Sequence, residues 1–213
     1  MCNKKRLRAS MNQLGKAMDR QLQLPLARFT NEPVPEDVFP RRPGLILRPV
    51  APTNPVELEA SVAHWNLTPY FHKGEFKDWK ASCNNARSET MATSGAFREA
   101  VKRRRAIIPA TSYVEWTGPK GSKTEHDISP PDGLLFMAGL WDRCGAGDSY
   151  TLVMMDAEGE AARFHDRMPI LLDAETARTW LDLTADWEMI KDEVRGRSVK
   201  VPLVADPPDP AAA

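Results

Sequence analysis

The chain has 213 residues, 42% of them hydrophobic, enough to bury a sizeable core in one domain or two small ones, of which one is the simpler reading. Lys plus Arg and Asp plus Glu balance at 29 each, which excludes the global positive field of a nonspecific nucleic-acid binder and confines anion binding to local patches. No apolar run is long enough to cross a bilayer and no secretory signal opens the chain, so a cytoplasmic location is expected, where thiols stay reduced.

The chain starts Met1-Cys2. Trimming of methionine ahead of a small second side chain would leave Cys2 with a thiol and an α-amine on neighbouring atoms, with ordinary pKa values of roughly 8.5 and about 7.7 to 8.0. The amine can condense with an aldehyde to a Schiff base, and the thiol can then close a five-membered thiazolidine. On position alone, the blander reading is a cysteine on a frayed terminus. Cys2, Cys83 and Cys144 form no CxxC pair and no ligand spacing with the four histidines, so neither structural zinc nor a disulfide framework is expected, and no cofactor is implied. Two basic clusters, Lys4-Lys5-Arg6-Arg8 and Lys102-Arg103-Arg104-Arg105, each read as a solvated face.

From Ala9 to Leu24, Met11, Leu14, Met18 and Leu22 recur at helical spacing, which predicts an amphipathic helix. Pro25 to Pro43 carries five prolines and reads as an extended connection. Gly44 to Val50 and Ser61 to Leu67 read as strands, with Trp65 facing inward. Ser88 to Arg104 reads as a helix with a basic last turn. Ala106 to Trp116, Leu134 to Trp141, Tyr150 to Met155 and Pro169 to Leu172 are β-type runs. Helices are expected from the Asp173 cap to Leu181 and from Asp186 to Arg195, then a disordered Pro/Ala-rich tail over 205–213. The expected fold is α+β: a single β-rich domain over 1–204 with a mostly antiparallel, partly closed, barrel-like sheet and flanking helices.

Three polar stretches interrupt the apolar middle: Asn85 to Thr90, Tyr113 to Trp116, and His165 to Pro169. Taken singly, Asn85 can satisfy a turn, Glu115 can pair with a buried arginine, and His165 can be a hydrogen-bonded core histidine. Together with Cys2, the ordered set Trp65-Asn66-Leu67-Thr68-Pro69, Asn85-Ala86-Arg87-Ser88-Glu89-Thr90, Arg105-Ala106-Ile107-Ile108-Pro109-Ala110, Glu115-Trp116, Phe136-Met137-Ala138-Gly139-Leu140-Trp141 and His165-Asp166-Arg167-Met168-Pro169 resembles the SRAP family, the SOS-response-associated peptidase-like proteins that crosslink to abasic sites in single-stranded DNA.

The resemblance implies that Cys2 forms the thiazolidine with the ring-opened deoxyribose, and that Asn85 orients the α-amine or the sugar oxygen. It implies that Glu115 moves protons during Schiff-base formation and supports strand cleavage as a lyase, while His165 protonates the ring oxygen and promotes reversal. The same four groups are implied in peptidase-type self-processing at Met1. Arg87 and Arg167 match arginines that face phosphates, and Phe71 and Trp116 are the aromatic DNA contacts. The implied partner is single-stranded DNA containing abasic sites, met by a monomer without membrane or metal.

The chain departs from the family's pattern in places. The common start Cys-Gly-Arg-Phe is Cys2-Asn3-Lys4-Lys5 here, and Tyr70-Phe71-His72 stands where many members carry tryptophans. Two other readings stay open at this level: a thiol peptidase in which Cys2 attacks peptide carbonyls, and a noncatalytic single-stranded nucleic-acid binding module with an incidental Cys2.

Overall fold

The computed structural model describes residues 2–51, 57–198 and 200–207. Its strands, in chain order, are β1 (Lys5–Arg6), β2 (Leu26–Arg28), β3 (Asp37–Val38), β4 (Pro43–Pro49), β5 (Leu58–Trp65), β6 (Asn85–Arg87) and β7 (Arg105–Ala110). They continue with β8 (Ser112–Thr117), β9 (Thr124–Ser129), β10 (Leu135–Cys144), β11 (Gly147–Asp156), β12 (Arg167–Pro169) and β13 (Val204–Asp206). The helices are α1 (Met11–Ala17), α2 (Arg98–Arg103), α3 (Ala174–Leu181) and α4 (Trp187–Ser198).

The larger sheet closes on itself. β4 pairs antiparallel with β5 and β7, β7 with β10, and β10 with β11. A parallel pairing of β11 with β5, through Ser149 opposite His64 and Tyr150 opposite Trp65, completes the ring. Long, continuously buried stretches in β7, β10 and β11 explain why periodicity alone read them as core strands. Close packing in the ring shows at Gly139, where a Cβ would meet Ile108 Cγ1 at 2.5 Å.

The second sheet runs β13-β9-β8-β1-β3. The amino-terminal strand lies inside it, between β8 and the edge strand β3: Lys5 lies opposite both Val38 and Tyr113, and Arg6 opposite Asp37 and Ser112. The single run expected from Ala106 to Trp116 is two strands, and Thr111 at the break carries the chain from the barrel to this second sheet.

Of the basic clusters, Arg8, Lys102 and Arg103 are solvated as expected and Arg104 is half-buried, while the other four residues depart from that reading. Lys4, Lys5 and Arg6 are buried, because β1 is inserted between two strands. Lys4 and Arg6 are neutralised there by Asp37, Glu125 and Asp127. Arg105 is also buried: its guanidinium donates to the carbonyls of Val101, Trp180, Asp182 and Ala185 at 2.7 to 3.3 Å. Three of these lie at or beyond the end of α3, where helix carbonyls supply the negative pole.

The helix expected over 88–104 shrinks to α2, preceded by turns. Thr93 donates its hydroxyl to the Thr90 carbonyl, the kind of local bond that competes with helix formation. The amphipathic helix over 9–24 appears as α1 followed by a π-helical turn from Met18 to Leu22, and Ser10 forms its capping box. Asp173 caps α3 through Glu175 N and Thr176 N. Val204–Asp206 pairs with β9, so Ala205 and Asp206 of the expected tail form a strand; 208–213 lie outside the described residues. Among the described residues no helix is long and apolar enough to cross a membrane.

Candidate active site

Insertion of β1 into the second sheet fixes where Cys2 lies. The Lys4 carbonyl accepts from Val114 N at 3.0 Å and from the Cys2 thiol at 3.4 Å, which turns the sulfur back onto β1 and β8. Asn85 Nδ2 donates to the Cys2 carbonyl at 2.8 Å, and Asn84 Nδ2 to Asn3 Oδ1 at 3.0 Å. These asparagines are held in turn by the barrel: β6 lies parallel to β11, with Asn85 opposite Leu152, and Trp65 Nε1 donates to the Asn84 carbonyl at 2.7 Å. Cys2 is fully buried, so the frayed-terminus reading does not describe it.

Glu115 lies two residues after Tyr113 on β8, so the two side chains share one face of the strand. Its cross-strand neighbour is His126. The loop before β12 folds over this pair: the Phe164 ring lies 4.9 Å from the His126 ring, and the Asp166 charge acts on the Glu115 carboxyl. Burial pushes that carboxyl up to about 7, with Asp166 adding to the shift. Burial also pushes the Cys2 thiol up to about 12, reinforced by Glu115. The two groups therefore act on each other electrostatically inside one poorly solvated region.

His165 is carried by the same loop, beside Asp166. Its Nδ1 accepts from Arg167 N at 3.0 Å and lies against the Asp166 carboxylate, leaving Nε2 without a partner among the described residues. Burial lowers its pKa, and Asp166 opposes that shift. The loop thus brings an imidazole and, through Asp166, an acidic neighbour of Glu115 to one side of the second sheet, groups of the kind that carry out acid and base steps.

The expected DNA contacts divide into two kinds. Arg87 is exposed and has no ionic partner among the described residues. Arg167 is already engaged, with two guanidinium nitrogens on Glu89 at 3.0 and 2.9 Å and one on Asp156 at 2.7 Å. Its positive charge is spent inside the protein, where it ties β12 to the segment after β6. Phe71 is 47% exposed and meets Tyr70 and Trp79 edge-on at 5.5 and 6.2 Å, an aromatic platform rather than a lone ring. Trp116 is half-buried on β8, opposite Glu125.

Sequence reading missed Lys5, Tyr113 and Tyr150. All three are fully buried, and Lys5 Nζ lies 6.0 Å from the Tyr150 ring centroid. Their polar character resembles that of any surface residue in a sequence, and only the closed barrel reveals that they lie inside. A cavity of about 370 Å³ among Gln21, Leu134, Phe136, Leu172 and Arg197 includes none of Cys2, Asn85, Glu115 and His165. No described group of three His, Cys, Asp or Glu residues could hold a metal ion.

The family model for SOS response associated peptidase (SRAP) matches residues 1–201. The chain belongs to the SRAP family. Among relatives, it is 33% identical over 125 residues to the abasic site processing protein YedK of Escherichia coli, covering 55% of this chain and 56% of that protein. It is 32% identical over 126 residues to the abasic site processing protein YMR114C of Saccharomyces cerevisiae, covering 56% of this chain and 34% of that protein. The chain thus spans roughly a third to just over half of the length of these curated relatives. A solved structure from Bordetella bronchiseptica superposes with a TM-score of 0.74 at 28% identity, covering 96% of this chain and 98% of that one. This match extends the SRAP fold across nearly all of the chain, including both sheets.

Proposed function

We propose that this SRAP protein acts on abasic sites in single-stranded DNA, using Cys2, after removal of Met1, to form a covalent thiazolidine that shields the lesion. The carrying observation is the tether of the Cys2 carbonyl by Asn85 beside a buried Glu115 whose carboxyl is pushed up to about 7. The names of its relatives as abasic site processing proteins support the same target.

The order of steps follows from the ionisation of the groups. A thiol pushed up to about 12 is a poor first nucleophile at neutral pH, whereas a terminal amine is partly neutral there. The amine of Cys2 attacks the aldehyde carbon of the ring-opened deoxyribose, and Glu115 in its acid form helps water depart from the carbinolamine. The thiol then closes onto the imine carbon. Asn85 Oδ1, buried without a hydrogen-bond partner among the described residues, is suited to accept from the amine and aim it. His165 serves as the acid for opening of the sugar ring and for reversal. Lyase cleavage and self-processing at Met1 would draw on the same proton carriers.

The raised thiol gives less support to a thiol peptidase that starts from a thiolate. Arg87 and the Tyr70–Phe71–Trp79 platform supply a local phosphate and base surface on a chain with no net charge. The test is incubation of the mature chain with an abasic-site oligonucleotide followed by denaturing electrophoresis. A retarded, heat-stable band that is lost in Cys2→Ala is expected; no band from a folded chain of confirmed Cys2 terminus would refute the reading.

A further inference from the structure

Lys5 is a fully buried cation for which no carboxylate partner exists among the described residues. An isolated buried ammonium is costly, so an unpaired one points to a role that repays its desolvation. Its neighbours Lys4 and Arg6 are paired with Asp37, Glu125 and Asp127. Lys5 alternates with them along β1 and shares its face with its cross-strand partner Tyr113, and hence with Glu115 two residues on. Its ammonium donates to the Pro109 carbonyl of β7 at 3.4 Å and lies over the Tyr150 ring of β11.

The titratable groups around Lys5 are Cys2, whose sulfur lies 3.4 Å from the carbonyl of the preceding residue Lys4, Tyr113 and Glu115 from the facing side of β8, and Tyr150 from β11. Both tyrosine hydroxyls are buried without hydrogen-bond partners among the described residues. Of these groups, Cys2 is the one whose charge bears on Lys5, and Lys5 in turn eases ionisation of the thiol.

We propose that Lys5 is a positioning residue for sulfur chemistry, the buried positive charge that stabilises the Cys2 thiolate while the five-membered ring closes. This rests on the abasic-site reading only for the identity of the electrophile. In the closure step the Cys2 S–H bond breaks and its proton passes to the Glu115 carboxylate. A sulfur lone pair forms the C–S bond, and the π pair of the protonated imine returns to nitrogen. Lys5 keeps its proton throughout and nothing is oxidised or reduced. Burial lowers Lys5 to about 8, so the cation is present at neutral pH and fades in mild alkali.

Two measurements on the mature full-length chain test this. The first is peptide-resolved alkylation of Cys2 by iodoacetamide, with no DNA present. Lys5→Met should slow it about tenfold at pH 7, where the Lys5 cation is present, the change expected for one pKa unit, while Lys5→Arg should preserve it. The second follows adducts with abasic-site DNA: borohydride-trapped Schiff base reports the amine step, and borohydride-independent, heat-stable adduct reports closure. Lys5→Met should form Schiff base at the wild-type rate and close slowly. Lys5→Arg should close normally at pH 7 and keep closing at pH 9, where wild type declines.

Equal alkylation in wild type and a folded Lys5→Met, or equal closure with the same pH profile, would overturn the proposal. If Lys5→Met does not fold, the pH profile of Lys5→Arg decides: a decline matching wild type overturns the proposal. A normal alkylation contrast without any DNA adduct would instead refute the abasic-site reading and leave the Lys5–Cys2 coupling standing.

Discussion

At the scale of single residues, the burial that pushes the Glu115 carboxyl up to about 7 should cost stability. Its folded pKa is raised above its unfolded value, so between about 4.5 and about 7 the folded state binds more protons than the unfolded one. Stability from this group therefore falls as pH rises through that window. Glu115→Gln should have no advantage at pH 4 and should be stabilised by on the order of 2 kcal/mol at pH 8. Denaturant melts at the two pH values measure this, and the same variant should lose crosslinking; equal stability at both pH values would refute the burial argument. Asn85→Ala removes the bond to the Cys2 carbonyl and should slow adduct formation while costing only about 1 kcal/mol of stability. Comparing crosslinking rates with melts separates positioning from folding.

At the scale of elements, β1 is a two-residue strand held between β8 and β3, and it fixes the segment that carries Cys2. Arg6 anchors it, with the guanidinium on Asp127 and Glu125 and a further bond to Asp37. Arg6→Ala leaves Asp127 without its cation and Asp37 and Glu125 with Lys4 alone. It should destabilise the chain by about 2 kcal/mol and, on the proposed function, reduce crosslinking beyond what partial unfolding explains, since it loosens the strand that positions Cys2. Thermal melts alongside adduct yields at a temperature where both proteins are folded provide the check. In the barrel, Gly139→Ala should cost about 1 to 3 kcal/mol, because its methyl would press on Ile108 of the neighbouring strand.

The limits of sequence reading also belong to this scale. β4, β5, β10 and β11 were legible because long buried strands leave apolar runs. The short strands β1, β3, β6 and β9 were not, since their pairing is decided by partners distant in the chain. Lys4, Lys5 and Arg6 show the difficulty most clearly: a basic run reads as a solvated face until β3 and β8 are known to enclose it. The candidate set Cys2, Asn85, Glu115 and His165 came from their order along the chain, as a resemblance. Their individual side chains carried no local signal strong enough to distinguish a site from a satisfied core.

At the scale of the whole molecule, balanced charge means that DNA affinity should come from a few local contacts rather than a global field. Arg87, exposed and without an ionic partner among the described residues, should account for one of them. Arg87→Ala should weaken single-strand binding and reduce the slope of log affinity against log salt by about 0.7, the release expected for one phosphate contact. Arg167→Ala should act differently, destabilising the fold by releasing Glu89 and Asp156, and a salt titration of both variants separates the two roles. The two sheets serve one geometry: the barrel holds Asn85, the second sheet holds Cys2 and Glu115, and the loop before β12 lays His165 and Asp166 over them.

That geometry has value only if Cys2 is the terminal aminothiol. The most direct measurement is therefore peptide-mapped mass spectrometry of the mature chain after incubation with abasic-site DNA and nuclease digestion. The account predicts a deoxyribose-derived adduct confined to the Cys2 terminal peptide, stable to denaturation without reductant and absent from chains that retain Met1. An unmodified Cys2 in a folded, Met1-free chain, or an adduct mapped to another residue, would contradict it.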